Sequence, residues 1–434
     1  MRALTSSFAL LGFCGALSAQ LEEVLNVNFD DGQFGATWSY AGWAPEFQST
    51  QTGLGLHMYP EEWQGMVNTP PYMPMTFIPI PGGYSPDHAY KVAAACYPDL
   101  LLPGLFQCGM VGLAWYNGSD LYMGGSMTFG PPGFYELEST WHLGGPAPAA
   151  GTFGVVLIAD VSEWDPGDVG ATFDNIVVYR KPYGVSLDYM SFALEGAYNS
   201  STGFMRDDLR LQGLIPLVEP YTAMGYPQIG GGGEVATTTW LNPALNGGHR
   251  AVDWVRVELR AASNPAQLVA SGQFLLWTNG RLGKGNIGGD VVIRALPGQY
   301  YVVVRHRNHL AAMSAAPLNM VSNTGQPNTI NFMQPGFATY GTDARKQVGS
   351  TMVLWAGDVT GDGELKYVGA NNDRDPILLA IGGGTPSNTV TGYSSADVNL
   401  DGVVKYIGAN NDRDPILVNI GGSTPTAVRI EQVP

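Results

Sequence analysis

Short apolar runs, each broken by Gly, Pro or Asn after about eight to twelve residues, follow one another from Leu21 to Lys181. The clearest runs predict β-strands at residues 88–97, 108–116, 151–161 and 171–180. In the last run the side chains alternate between two faces: Phe173, Asn175, Val177 and Tyr179 against Asp174, Ile176 and Val178. This rhythm predicts a β-sandwich that ends near residues 181–184.

A second all-β segment extends from about Val185 to Ala344. Residues 252–260 alternate between apolar and polar positions, and residues 298–310 predict a strand that ends in a polar corner, "RHRNH". Between them, Asn279-Gly280 stands between strand-like flanks, which is a strong hairpin signal. The pattern predicts a second β-sandwich.

The last segment, about Arg345 to Pro434, contains one unusual string twice. "DGELKYVGANNDRDPILLAIGG" begins at Asp362, and "DGVVKYIGANNDRDPILVNIGG" begins 39 residues later at Asp401. Such a spacing indicates a repeated supersecondary unit. In the first copy Asp375-Pro376 predicts the N-cap and first residue of a short helix that ends at Gly382-Gly383, and the second copy predicts its twin.

Composition narrows the possible partners of the 434-residue chain. Its length suits about three domains, and only 13% of the residues are charged, while Gly (58) and Pro (30) are abundant, which excludes a coiled coil. The net charge of −16 repels phosphate backbones, so nucleic acid is excluded as a partner, whereas divalent cations suit such a surface.

The N-terminus "MRALTSSFALLGFCGALSAQ" has the order of a secretory signal peptide: one Arg, an apolar run, then small residues. We expect cleavage near Ala19 or Gln20. No other run of about 18 apolar residues is present, so no membrane span is expected and the protein is predicted to be secreted or displayed at the cell surface.

Two cysteines remain after the signal peptide, Cys96 and Cys108. An even pair in an exported chain favours a disulfide, which would contribute roughly 3 kcal/mol on the chain-entropy model. The alternative is a pair of buried thiols.

"DVTGDG" (358–363) and "DVNLDG" (397–402) both begin like a calcium loop. Carboxylates stand at loop positions 1 and 5, Thr360 or Asn399 supplies an oxygen at position 3, and Gly at position 6 permits a sharp turn. The backbone carbonyl of Glu364 or Val403 follows at position 7. Oxygen donors at this spacing indicate Ca²⁺, since no nitrogen or sulfur ligand for zinc is present.

Over about the last 80 residues these loops resemble the dockerin family, whose members carry two calcium loops, each followed by a helix. The chain departs from that family at loop position 12, where Gly369 and Gly408 stand instead of a carboxylate. We infer a loop enlarged by four residues and closed by Asp373 or Asp412. The predicted ligands are Asp358, Thr360, Asp362, Glu364 and Asp373, and Asp397, Asn399, Asp401, Val403 and Asp412. The alternative is a metal-free, Asx-rich turn in which Arg374 is linked to an Asp.

The dockerin resemblance implies a protein partner, because dockerins bind cohesins. The inserted "NNDRDPIL" falls outside the dockerin pattern. Together with "LWAGDV" and the upstream "YYVVVRHRNHL", it makes the chain more similar to the C-terminal region shared by many secreted, multi-domain bacterial surface proteins. That resemblance implies export and modular display, not chemistry.

The first segment resembles jelly-roll carbohydrate-binding modules of the galactose-binding-like fold at its two ends, "VNFDDGQF" and "ATFDNIVVYR". In that family, carboxylates near the two ends often share a structural Ca²⁺. The resemblance implies a second metal site from Asp30 or Asp31 with Asp174. The alternative is that these residues only cap strands.

Six of the ten tryptophans fall in this first segment. Trp63 and Trp141 stand in polar, turn-rich contexts and are predicted to form an exposed platform that stacks on sugar rings. Trp115 and Trp38 are expected in a strand and in the core, and core packing remains the alternative for any single Trp.

Glycoside hydrolysis would need two carboxyl groups about 5 to 9.5 Å apart. Glu136 and Glu138 on one strand face, or the group Asp160, Glu163, Asp165 and Asp168, offer such pairs, but both patterns are also common on solvated strands and loops. No nucleophile elbow and no zinc-protease motif is present. We assign no catalytic residue.

The sequence therefore predicts a mainly β, exported protein with two β-sandwich (jelly-roll or Ig-like) domains and a small helical, dockerin-like calcium-binding domain. The predicted boundaries are 1–20 for the signal peptide, 21–184, 185–344 and 345–434. The predicted function is polysaccharide binding or adhesion without turnover. The alternatives are a carbohydrate-active enzyme with its active site in the first domain, and a purely structural surface or matrix component.

Overall fold

The computed structural model describes residues 22–31, 38–40, 46–50, 53–58, 75–98, 109–118, 121–124, 128–129, 135–139, 144, 147–159, 171–283, 291–323 and 329–434. The described chain divides into two compact units, Gln20–Tyr183 and Gly184–Pro434. The predicted signal peptide lies outside the described residues. Within those ranges no helix combines the length and the apolar character that a membrane crossing requires.

The first unit consists of antiparallel β-strands. They are β1 (Glu22–Val27), β2 (Trp38–Tyr40), β3 (Glu46–Ser49), β4 (Leu54–Met58), β5 (Met75–Pro79), β6 (His88–Pro98), β7 (Gly109–Tyr116), β8 (Leu121–Met123), β9 (Thr128–Phe129), β10 (Tyr135–Glu138), β11 (Thr152–Ala159) and β12 (Ala171–Pro182). One six-stranded sheet has the order β10-β6-β12-β4-β3 with β1 added on β12, and the other has the order β2-β5-β11-β7-β8 with β9 added on β7.

The apolar faces of these two sheets share one core. Trp115 and Phe153 come from one sheet and Tyr90 and Phe173 from the other, and all four side chains are buried. The ring centroids of Phe153 lie 4.8 Å from Trp115 and 4.9 Å from Tyr90. Aromatic packing at these distances stabilises a core beyond the apolar area that it buries.

The alternation predicted for residues 171–180 is interrupted by a β-bulge. The pairing of β12 with β6 shifts register between Asp174 and Val177, and Asn175 has a φ of 48°. As a result Phe173, Ile176 and Val178 all enter the core, although strict alternation would put Phe173 on the opposite face. The predicted assignment of side chains to the two sheet faces is therefore wrong for this strand. One extra residue moves every side chain that follows it to the opposite face.

The second unit begins with short elements and continues with longer strands. They are β13 (Val185–Ser186), β14 (Met190–Ser191), β15 (Tyr198–Asn199), β16 (Phe204–Met205), α1 (Asp208–Leu211), β17 (Ala251–Ala261), β18 (Asn264–Trp277), β19 (Leu282–Gly283), β20 (Val292–Ile293), β21 (Gly298–His306), β22 (His309–Met313), β23 (Leu318–Met320), β24 (Ile330–Asn331), β25 (Lys346–Val348), β26 (Thr351–Val353), β27 (Glu364–Lys366), α2 (Arg374–Ala380), β28 (Thr389–Thr391), β29 (Val403–Lys405), α3 (Arg413–Asn419) and β30 (Val428–Ile430).

One six-stranded sheet, β19-β18-β17-β21-β22 with β23 added on β21, forms the centre of this unit. Its apolar face shares a core with two-stranded ribbons and loops, including Phe192, Tyr221 and Trp240. The expected mainly β class is confirmed, but short ribbons and loops replace a second large sheet in the described part of this unit. The predicted hairpin at Asn279-Gly280 is also confirmed, with β18 and β19 as its strands and Gly280 at a φ of 83°.

Each copy of the repeat supplies a loop, a three-residue strand and a seven-residue helix. Ile377 of α2 and Ile416 of α3 share a small core with Val398 and Val404. The predicted helix start is two residues too late, since α2 begins at Arg374 and Asp373 stands at its N-cap without a side-chain cap bond. The side-chain oxygen of Asn372 instead accepts a bond from the Asp375 N–H at 2.9 Å. Asp373 is engaged elsewhere, in the loop.

Candidate functional site

Two buried aspartates close the first predicted calcium loop. The carboxylate of Asp358 accepts the N–H groups of Asp362 and Gly363, each at 3.1 Å. The carboxylate of Asp373 accepts the N–H of Thr360 at 3.0 Å, the hydroxyl of Thr360 at 3.1 Å and the N–H of Lys366 at 2.8 Å. Asp373, at the end of the enlarged loop, thus binds Thr360 at the third loop position.

The second loop repeats this arrangement. Asp397 accepts the N–H groups of Asp401 at 3.1 Å and Gly402 at 2.8 Å. Asp412 accepts the N–H groups of Val398 and Lys405, each at 2.8 Å, and that of Asn399 at 3.2 Å. Two sequence copies therefore build the same hydrogen-bonded frame.

Glycine at the sixth loop position makes the turn possible. Gly363 and Gly402 have φ angles of 82° and 83°, in the left-handed region that residues with a Cβ rarely adopt. At this conformation the loop N–H groups point back to the first aspartate, which accepts two of them. The D-x-x-x-D-G spacing is thus the local reason for the frame.

Burial gives the four aspartates unusual electrostatics. It raises the pKa of Asp358 to about 7, with a further contribution from the charge of Asp373, and raises the pKa of Asp373 to about 6. Burial likewise raises the pKa of Asp397 to about 6 and that of Asp412 to about 7. In the described part of the chain none of the four has an ion-pair partner, although Arg307 lies close enough to Asp397 to favour its charged form. Each loop therefore holds two buried carboxylates that accept hydrogen bonds but have no ion-pair partner among the described residues.

The metal-ligating atoms that each loop offers are oxygens, which is the ligand type that calcium prefers. The carboxylate of Asp362 accepts the Glu364 N–H at 3.0 Å, and that of Asp401 accepts the Val403 N–H at 2.9 Å, so both stay at the loop tips. Across the described residues no three His, Cys, Asp or Glu side chains converge into a metal site. A calcium ion here would thus combine a carboxylate pair with hydroxyl, amide and backbone carbonyl oxygens, such as those of Glu364 and Val403.

The Asx-rich turn that formed the metal-free alternative is present beside this frame. Arg374 donates to Asp375 at 3.1 and 3.2 Å, and the side chain of Asn372 donates to Asp375 at 2.8 Å and to the carbonyl of Gly369 at 2.7 Å. The arginine link uses Asp375, however, and leaves Asp373 to the loop. The second copy has the same pairing between Arg413 and Asp414.

The structure brings Asp30 and Asp174 of the first unit to one turn. Asp30 accepts the N–H of Leu54 at 2.9 Å, and Asp174, which is buried, accepts the hydroxyl of Thr50 at 3.1 Å. The Thr50 hydroxyl oxygen also accepts the N–H of Gly53 at 3.1 Å. Asp31 is exposed beside Asp30. The two ends of the first segment, β1 and β12, pair with each other, and the metal site that the resemblance implies stays a prediction.

Several predicted residues of the first unit lie outside the described residues. They are Trp63, Trp141, Cys108, Asp160, Glu163, Asp165 and Asp168. Cys96 is buried in β6, and its predicted disulfide with Cys108 stays a prediction. Trp115 lies in strand β7, as expected, and is buried, while Glu136 and Glu138 are described only by their backbone in β10, opposite Ala95 and Ala93.

Sequence reasoning missed a buried polar network that meets the second loop. The side chain of Asn308 donates to the carbonyls of Ser395 at 3.0 Å and Asp397 at 2.7 Å. Its neighbour Arg307 pairs with buried Asp253, which also accepts the hydroxyl of Tyr393 at 2.7 Å. The signal was the "RHRNH" cluster, which the sequence presents only as a polar corner at the end of a strand.

Two more side chains bind the backbone of the second loop. Arg206 donates to the carbonyl of Asn399 at 2.6 Å, and Gln212 donates to the carbonyl of Asp401 at 2.6 Å. Buried His306 and His309 lie 2.9 Å apart beside the network, and burial lowers the pKa of both. These histidines are therefore neutral near pH 7, which suits hydrogen bonding in a core.

No family model and no curated protein matches the chain. Among solved structures, it is similar to a xylan-binding CBM22-1 domain from Paenibacillus barcinonensis, with 9% identity, 38% of this chain and 97% of that chain covered, and a TM-score of 0.24. It is also similar to a family 11 carbohydrate-binding module from Clostridium thermocellum solved with a mixed-linked tetrasaccharide, with 12% identity, 37% and 95% covered, and a TM-score of 0.24. A third structure is an adhesin domain of Lys-gingipain from Porphyromonas gingivalis, with 9% identity, 36% and 98% covered, and a TM-score of 0.23. TM-scores this low assign neither ligand nor activity to this chain.

Proposed function

We propose that this protein is an exported, non-catalytic binding protein whose C-terminal repeats bind calcium. The observation that carries the calcium assignment is the pair of matched loops, each with two buried aspartates that lack an ion-pair partner among the described residues. Removing a carboxylate from water is costly unless a cation or hydrogen bonds compensate its charge. A bound calcium ion would supply that compensating charge.

In this proposal each residue of a loop supplies a different oxygen ligand to the calcium ion. Asp358 and Asp373 would offer carboxylate oxygens, Thr360 a hydroxyl, and Glu364 its backbone carbonyl. The second loop would use Asp397, Asp412, Asn399 and Val403 in the same places, with Asp362 and Asp401 at the loop tips. The repeats share only a small core, so calcium binding would contribute directly to their folding free energy.

The chain offers a matched test for calcium binding. Replacing Asp373 and Asp412 together by Asn removes one buried carboxylate per loop, whereas replacing Asp375 and Asp414 by Asn removes the neighbouring carboxylates that bind arginine. In isothermal titration of the metal-stripped full chain we expect two sites, a loss of affinity of at least about tenfold in the first variant, and little change in the second.

Three outcomes contradict the calcium proposal. They are no calcium uptake by the parent chain, equal uptake by the Asp373/Asp412 variant, and an equal loss in the Asp375/Asp414 control. Thermal melts of each variant without metal separate a lost ligand from a lost fold.

We further propose that the first unit binds polysaccharide. Its two packed antiparallel sheets have the architecture that a jelly-roll module requires, and Asp30 and Asp174 each accept a hydrogen bond from the segment 50–54, where the resemblance implies a structural calcium. The predicted platform residues are Trp63 and Trp141. A protein partner of the repeats is a further proposal from the dockerin resemblance.

The test is capture of the full chain by a panel of soluble and insoluble polysaccharides, with product assayed in the same tubes. We expect at least one polysaccharide to retain the chain without released reducing ends, and Trp63→Ala with Trp141→Ala to abolish retention. Trp115→Phe, a conservative change in the core, serves as the control and should retain the ligand. Released product would favour the enzyme alternative, and neither capture nor product would favour a structural role.

A further inference from the structure

A cavity of about 490 Å³ opens on the second unit, and its lining includes no residue of either predicted calcium loop. Four separate segments of the chain line it, among them Tyr189, Ser191, Asn279, Arg281, Asn331 and Ser350. None of these residues belongs to a site predicted from the sequence. We call this the Tyr189 cavity.

The walls of the Tyr189 cavity are held by backbone hydrogen bonds. Ser191 and Asn331 are partners in the parallel pair β14–β24, and the carbonyl of Ser191 accepts the Phe332 N–H at 2.8 Å. The next residue, Phe192, donates its N–H to the carbonyl of Gly280 at 3.0 Å, which fixes the Asn279–Arg281 turn against the same strand. The cavity is therefore preformed, as is usual for small-ligand sites.

Neutral hydrogen-bonding groups dominate the lining. Hydroxyls come from Ser191, Thr329 and Ser350, and amides from Asn279 and Asn331. The side-chain oxygen of Asn331 accepts the Met333 N–H at 2.9 Å, and its amino group makes no bond to the described residues. Polar groups spaced around one aromatic side chain match a ligand with many hydroxyls.

Tyr189 and Arg281 give the cavity its specific chemistry. Tyr189 is 46% exposed, and the guanidinium carbon of Arg281 lies 5.5 Å from the centroid of its ring. Arg281 has no carboxylate partner among the described residues, whereas Arg256 and Arg305 of the same unit both pair with Glu258. Among the residues that the structure describes, no Asp or Glu lines the cavity, although the whole chain carries a net charge of −16.

We infer that the Tyr189 cavity binds a saccharide that carries a carboxylate group, such as a uronic acid residue. The planar fork of the Arg281 guanidinium matches a carboxylate in bidentate geometry. The Tyr189 ring supplies an apolar face for the sugar ring, and the surrounding hydroxyls and amides bind the sugar hydroxyls. This site goes beyond the proposed function, which places polysaccharide in the first unit.

The probe is a tetramer of galacturonic acid, compared with its fully methyl-esterified form, by isothermal titration against the full chain. The ester has the same size and hydroxyls but no charge. We expect the acid to bind at least about tenfold more tightly than the ester, and binding to weaken as the salt concentration rises.

Variants assign the binding to the cavity. Arg281→Gln and Tyr189→Ala should each weaken binding of the acid by about tenfold or more, and Arg281→Lys should retain part of the affinity. Arg294→Gln is the matched control, because Arg294 is an exposed arginine of the same unit outside the cavity, and it should bind as the parent does. Arg281 and Tyr189 are both exposed, so thermal melts of these variants should match the parent.

The inference is overturned by a parent chain that does not bind the acid, by equal affinity for acid and ester, or by an Arg281→Gln variant that binds normally. A sulfated oligosaccharide that binds as tightly as the uronate overturns the carboxylate assignment. Polysaccharide capture lost in Trp63→Ala with Trp141→Ala but retained in Arg281→Gln reports on the first unit alone, so the two proposals fail separately.

Discussion

At the scale of single residues, neighbouring aspartates have opposite electrostatics. Burial raises the pKa of Asp373 to about 6, while the side chain of Asn372 and then Arg374 lower the pKa of Asp375 below its ordinary value. Asp414, beside Asp412, repeats the lowered pKa of Asp375. The same string thus places one carboxyl inside the loop and one against an arginine.

These shifts predict how the stability of the metal-stripped protein depends on pH. A carboxyl group with a raised pKa binds more protons in the folded state than in the unfolded state, so its contribution to stability falls as the pH rises from about 4 through the folded pKa of about 6 to 7. We expect the free energy of unfolding of the second unit without metal to be lower at pH 8 than at pH 5 by more than about 1 kcal/mol. The unit should then unfold at a lower denaturant concentration at pH 8. Urea titrations at the two pH values measure this.

Saturating calcium should remove or reverse that dependence, because the ion binds the ionised carboxylates. The Asp375→Asn, Asp414→Asn variant is the control and should keep the dependence of the parent. Metal-stripped protein that gains stability between pH 5 and pH 8 would contradict the electrostatic account of the loops.

At the scale of elements, the turn between β21 and β22 connects the central sheet with both repeats. Its Asn308 accepts the N–H of Gly357, next to Asp358, at 2.9 Å and donates to the carbonyls of Ser395 and Asp397. Asn308 is fully buried. One side chain therefore fixes the entry to the second loop.

Asn308→Ala should lower the free energy of unfolding by about 1–3 kcal/mol, because it removes the donor to the buried carbonyl of Asp397 and the partly buried carbonyl of Ser395. We also expect the substitution to weaken calcium binding at the second site more than at the first. The Asn308 side chain donates to Ser395 and Asp397, which belong to the second loop and its approach. Asn388→Ala, which removes an exposed side chain with one long bond of 3.4 Å, should change stability by less than about 0.5 kcal/mol. Equal weakening of both sites would argue against this role of Asn308.

Strand positions in the two units follow the sequence pattern closely. A strand with one buried face alternates between apolar and polar residues, and a strand buried on both faces is apolar throughout. The predicted strands at 88–97, 108–116, 151–161 and 171–180 correspond to β6, β7, β11 and β12. The bulge at Asp174 was not predicted, since it depends on pairing with β6 and not on the residues of β12 alone.

At the scale of the whole molecule, the contacts place the sheet of residues 251–320 and the repeats in one compact unit, Gly184–Pro434. Arg305 of β21 binds Glu431 at 2.8 Å, and the side chain of Asn419 donates to the Glu195 carboxylate at 2.7 Å. Loss of calcium from the repeats is therefore expected to reach beyond residues 345–434 and to destabilise the central sheet as well.

The sequence by itself determined the features that depend on local spacing: the mainly β class, the strand rhythm, the hairpin at Asn279-Gly280 and the two copies of the loop. A period of two residues, a Gly that adopts positive φ and a duplicated string are all visible without knowing the partner of any segment. For the same reason the candidate calcium residues could be named, and their frame is local to each copy.

Only the tertiary structure decided which distant residues meet. The Tyr189 cavity joins segments near residues 190, 280, 331 and 350, and the network of Asp253, Arg307, Asn308 and Tyr393 crosses 140 positions of the chain. Such groups have no common spacing, because their contact depends on how sheets and loops pack after the chain has folded. The sequence therefore indicated a polar corner, and the fold made it a buried connection to the second loop.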